Sequence, residues 1–187
     1  MFLWQSPVKR FLPNQVEISN TIRRYWVDTA RWLRNVVYSN ILNLGNHEAI
    51  EARLNQTADA FGALFTQFYG QETGNRVRAS FLQFFDAVKE MVEAYQINDA
   101  AAIEQQRASM YAAADELAEI LSQVNRYWDR MTLQALLHVL AASAESQIAN
   151  IATGNYEQEI EAYDQFIEQI YRISDEFTYG ILRQFQI

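Results

Sequence analysis

Three aspartates stand at matching places in a chain of 187 residues: Asp59-Ala60-Phe61, Asp115-Glu116-Leu117 and Asp175-Glu176-Phe177, 56 and 60 residues apart. Aspartate is a poor helix-interior residue, because its short carboxylate competes for backbone groups. Three at one repeated position could converge on a polar pocket or an ion. The plainer reading is that each faces water or pairs with an arginine. Asp28 and Glu168 offer two further carboxylates with the same alternatives. The two histidines, His47 and His138, could each ligate a metal. A ferritin-like di-iron bundle, however, needs Glu-x-x-His pairs on one helix face, and Leu44 and Ala135 stand three residues before these histidines.

Covalent catalysis finds less support still. The chain has no cysteine, which excludes disulfides, thiolate metal sites and a cysteine nucleophile. There is no G-x-S-x-G elbow and no glycine-rich phosphate loop. No catalytic set is intact and no cofactor is expected. What remains is binding. Tyr25 to Ser39 carries Trp26 and Trp32, two of the four tryptophans, whose large apolar area makes them anchors for whatever packs there. Trp32 and Arg34 join Asp28, Glu168, Asp59, Asp115 and Asp175 as candidate binding residues.

The elements that must position these residues are helices. Six glycines and two prolines leave little material for turns, so the elements are long. In the first stretch Trp26, Ala30, Leu33, Val36 and Val37 share one helical face. Residues 1–13, bracketed by Pro7 and Pro13, read as an extended arm too apolar to stand free. Six helices follow: about Gln15–Leu44 with Asn14 as its cap, His47–Tyr69, a third ending at Gln96 after a break at Gly70–Asn75, Asp99–Val124, Tyr127–Ala152 and Tyr156–Phe185. Three turns look alike, with Asn46, Asn98 and Asn155 where a cap is needed and an Ile-Glu pair one turn into the new helix. Before them Thr29, Phe84 and Leu140 occupy equivalent places, 55 and 56 residues apart. The expectation is an all-α, single-domain, six-helix antiparallel bundle with up-down topology, made of three αα-hairpins at about 14–69, 72–124 and 127–185.

Trp26-Val27-Asp28-Thr29-Ala30-Arg31-Trp32-Leu33-Arg34-Asn35-Val36 resembles the W-E-D-H-V-x-W-T-R-N-V stretch of small, uncharacterised all-helical proteins from spore-forming Gram-positive bacteria. The likeness continues through Arg53-Leu54-Asn55-Gln56, Phe68-Tyr69-Gly70 with Gly74-Asn75, Tyr111 to Glu116, Tyr163-Asp164 and Gly180 to Phe185. In that pattern the first helix of each hairpin carries a histidine, and the last helix carries H-E-H. Here those places read Thr29, Phe84, Leu140 and Ile167-Glu168-Gln169. The resemblance therefore implies a histidine-based metal site whose imidazoles this chain has replaced mostly by apolar groups. Thr29, Phe84, Leu140 and Ile167 are not ligands. Carboxylates alone would favour hard ions such as calcium or magnesium.

Residues 1–40 carry six Lys/Arg against two acids, and the remainder nine against twenty-one. Overall acidity opposes phosphate binding, so nucleic acid is not an expected partner. No apolar run reaches membrane-spanning length, and the opening residues lack a signal-peptide core, which points to a cytoplasmic protein without membrane insertion. Tyr163, Tyr171 and Tyr179 recur every eight residues in the last helix, as on a helix flank or subunit contact. The expected function is non-catalytic binding of a partner or small apolar ligand, in a homodimer joined through the arm and last helix. The alternative is a metal-binding bundle, enzyme or storage protein, with a residual carboxylate site around Asp28 and Glu168.

Overall fold

Six amphipathic sequences joined by short turns leave one economical arrangement, in which each helix lies antiparallel to the next. The computed structural model describes residues 13–186. Its helices are α1 (Pro13–Ile41), α2 (His47–Tyr69), α3 (Gln71–Ile97), α4 (Ala100–Val124), α5 (Arg130–Ala152) and α6 (Tyr156–Phe185), with no strand among the described residues. Apart from Pro13, the first residue of α1, the expected arm lies outside the described residues.

The contacts place the odd helices at the centre. α1, α3 and α5 each touch the other two, while α2 bridges α1 and α3, α4 bridges α3 and α5, and α6 bridges α5 and α1. The bundle is thus a triangle of three parallel helices with an antiparallel helix against each side. One end carries the three hairpin turns, where Gln96 Nε2 donates to the Asn40 carbonyl and Tyr38 stacks on Tyr156. The other carries the start of α1, the Gly70 junction, the α4–α5 loop and the end of α6, with Gln184 Nε2 donating to the Val124 carbonyl.

Each element boundary has a local cause. Proline suits the first helical position, so α1 begins at Pro13 rather than after Asn14. It ends at Ile41, short of Leu44, because Asn43 and Gly45 take positive φ of 50° and 74°. The expected six-residue break at Gly70–Asn75 is one residue wide. Gly70 turns the chain at φ 88°, and Gly74 belongs to α3, where a Cβ would come within 2.5 Å of the Gly62 carbonyl oxygen. The asparagine caps also differ from expectation. Neither Asn46 nor Asn155 caps with its side chain, and Asn98 closes α3 in the left-handed region while Asp99 accepts from Ala101 N and Ala102 N. α5 begins at Arg130, not Tyr127, because residues 125–129 carry Trp128 into the core. Its Nε1 donates to the Glu176 carbonyl at 2.9 Å, in space left by Gly180.

Candidate functional site

The residues facing the central triangle follow from helical spacing. Trp26, Thr29 and Leu33 on α1 share a stripe, as do Phe81 and Phe84 on α3, and Leu137 and Leu140 on α5. These stripes meet around a cavity of about 40 Å³, completed by residues of α4 and α6, including Leu117, Phe166 and Ile170. The structure thus brings Thr29, Phe84 and Leu140 together around one space. It does not add Ile167, which is partly buried to the side of Phe166 and Ile170. The stripe Phe166, Ile170, Ile173, Phe177 at three- and four-residue steps was the signal for these two.

The lining is almost entirely carbon. Its two hydroxyls spend their protons on their own helices: Thr29 Oγ1 donates to the Tyr25 carbonyl at 2.8 Å, and Ser80 Oγ to the Arg76 carbonyl at 3.2 Å. Trp26 Nε1 is buried without a hydrogen-bond partner, its ring set among Phe61, Phe81 and Phe177. A buried water needs two to four polar partners, which this lining does not offer.

The three aspartates do not converge. Asp59 on α2 accepts from Arg78 Nε of α3 at 2.6 Å, and Asp175 on α6 from Arg23 of α1 at 2.5 Å. Asp115 on α4 meets Gln134 Nε2 at 2.8 Å and His138 Nε2 at 2.5 Å, both on α5. Arg23, Arg78 and Gln134 stand six residues before Thr29, Phe84 and Leu140, so each hairpin is tied to the next by the same pair of places. Burial pushes the Asp115 carboxyl up, but hydrogen bonds from Gln134 and His138 outweigh it and hold it below the ordinary range.

Asp28 pairs with Arg31 and Arg53, and the Arg53 guanidinium lies 5.2 Å over the Trp32 ring, joining α1 to α2. Arg24, one turn before Asp28, lies over the Tyr25 ring. Glu168 is exposed on α6 and shares none of these partners. Among the described residues no three His, Asp or Glu side chains are grouped to hold a metal ion.

Arg34 is the candidate whose surroundings are most unusual. Its Nε and Nη2 donate to the two carboxylate oxygens of Glu159 at 2.7 and 2.6 Å, and Tyr38 OH donates to Glu159 Oε2 at 2.8 Å. Glu159 is fully buried. Arg34 also lies 4.3 Å over the Tyr163 ring. The hydrogen bonds to Glu159 hold its guanidinium above its ordinary value despite burial, and burial raises the Tyr38 and Tyr163 hydroxyls. Glu159 escaped the sequence reading because glutamates at 157, 159 and 161 all suit the first turns of a helix, and only packing distinguishes the inward one.

Comparison with family models, curated proteins and solved structures finds no match for the chain. The cavity and the ion pairs therefore have to be read from their own chemistry. Asp28, Asp59, Asp115, Asp175 and Arg34 each have a partner within the bundle, which suits a structural role. The cavity is a place where the described helices leave an apolar space unfilled. No described helix is long and apolar enough to cross a membrane.

Proposed function

We propose that this is a non-catalytic binding protein whose central cavity takes a small apolar ligand, and that it works as a homodimer. The observation that carries the first part is the lining. Three equivalent helices turn Thr29, Phe84 and Leu140 toward one space and direct both hydroxyl protons away from it. These are also the positions where the resembled family carries histidine. On that reading, the space is what remains when imidazoles give way to apolar side chains. At about 40 Å³ the cavity is well below the ~150 Å³ that admits benzene without rearrangement. The ligand is therefore a small gas-like or methyl-sized group, or it enters as Phe84 swings aside. The exposed tyrosines Tyr171 and Tyr179 on α6 and the apolar arm support the pairing of two chains. The excess of acids argues against a phosphate-bearing partner.

Xenon is the matching probe for the cavity, with benzene as the larger comparison. Dissolved xenon is expected to show a protein-dependent ¹²⁹Xe shift that Leu140→Phe and Thr29→Leu, which fill the space, both remove. A shift that survives both fillings, or no shift in the natural protein, overturns the ligand reading.

A further inference from the structure

The charge of the chain is divided along the bundle axis. Cut after Thr29, Phe84 and Leu140, the part nearest the three hairpin turns, residues 30–57, 85–110 and 141–165, holds twelve Asp/Glu and five Lys/Arg, a net −7. The part at the other end, residues 13–29, 58–84, 111–140 and 166–186, holds eleven and eight, a net −3. At the acidic end large apolar side chains stand in solvent: Ile97 is 73 % exposed and Leu44 57 %, with Leu42, Tyr156 and Ile160 beside them. The Gln96–Asn40 hydrogen bond and the Tyr38–Tyr156 stack bring these turns to one face. Exposed Glu157 and Glu161 flank it. An apolar face rimmed by one sign of charge fits a segment that is apolar and oppositely charged.

The chain itself contains such a segment. Residues 1–12 carry Phe2, Leu3, Trp4, Phe11 and Leu12 with Lys9 and Arg10, and no acid. Reach decides whose arm it is. α1 has 29 residues and is therefore about 43 Å long, which separates Pro13 from the acidic face. Lys9 and Arg10 stand four and three residues before Pro13, a reach of at most about 14 Å, so they cannot arrive at the acidic face of their own chain. In two chains laid side by side and antiparallel, each arm instead starts beside the other's acidic end. We propose that the hairpin-turn end of the bundle receives the N-terminal arm of a second copy, giving a closed dimer with two exchanged arms. The inference rests on the homodimer reading above and names its surface.

The test is light scattering on the full chain after gel filtration. The natural chain runs as a dimer. Lys9→Glu/Arg10→Glu and Glu157→Lys/Glu161→Lys, the latter two at exposed positions, each weaken the dimer at least tenfold at low salt, and the four changes together restore it. Leu44→Ser/Ile97→Ser weakens it at every salt concentration. A natural chain that is monomeric overturns the homodimer reading and this inference together. A natural dimer indifferent to both charge reversals overturns the surface alone, as does a photo-crosslinker at position 4 that joins residues of its own chain.

Discussion

Replacing Arg34 by methionine tests how the buried Glu159 carboxylate is tolerated. Glu159 is fully buried and receives three hydrogen bonds, two of them from Arg34. Arg34→Met leaves only the Tyr38 hydroxyl. Removing one partner of a buried pair costs about 3–5 kcal/mol, because the remaining charge is uncompensated. The Arg34 side chain is 28 % exposed, so water can reach part of the gap, and the lower figure, about 3 kcal/mol, applies. In a chain of this size 1 kcal/mol moves the melting temperature by about 2–4 °C, which gives a fall of about 6–12 °C. Arg34→Met/Glu159→Met removes both charges and is expected within about 1 kcal/mol of the natural protein, since a well-packed apolar pair replaces a buried ion pair at little cost. Urea unfolding followed by circular dichroism measures all three proteins. A single variant costing under about 1 kcal/mol, or a double variant as unstable as the single, would refute the reasoning.

Gly180→Ala places a Cβ 1.9 Å from Trp128 Nε1, so the indole must leave its place and its hydrogen bond to the Glu176 carbonyl. A loss of about 2–4 kcal/mol with a shifted tryptophan emission is expected, although alanine is the better helix former. Burial pushes the Tyr69 hydroxyl up to about 12, against the hydrogen bond that Asn125 donates to it. The unfolded chain loses this proton near pH 10, so stability is full below that and falls as the pH rises from 10 through 12. Tyr69→Phe should flatten that decline in urea midpoints measured at rising pH. Asp115 behaves oppositely. Its depressed carboxyl stabilises above the unfolded value near 3.9, and that share is lost as the pH falls through the folded value. At 42 % exposure the share is under about 1 kcal/mol, and Asp115→Asn should remove this part of the acid slope.

Helix number, order and most boundaries were legible in the sequence, because each rests on local signals: 3.6-residue periodicity, scarce glycine and turn residues at Gly45, Asn98 and Gly154. The meeting of Thr29, Phe84 and Leu140 around one space was legible too, since three apolar stripes of like spacing mark faces that must meet something. The sequence could not say which short-range polar choice wins. Asn46 and Asn155 look like caps, yet neither side chain accepts a helix N–H. Gly74 reads as a turn but serves a close crossing of α2 and α3, which needs the partner helix to be visible. Most of all, only the tertiary structure decided the fate of the carboxylates. Asp59, Asp115 and Asp175 share a place along their helices, which left both convergence and pairing with an arginine open; that place faces the next hairpin rather than the axis, where Arg78 pairs with Asp59 and Arg23 with Asp175. Glu159 looks like one of three surface glutamates and is the one sealed inside against Arg34. Periodicity fixes which residues share a face of one helix, whereas burial and charge pairing depend on what the neighbouring helix brings to that face.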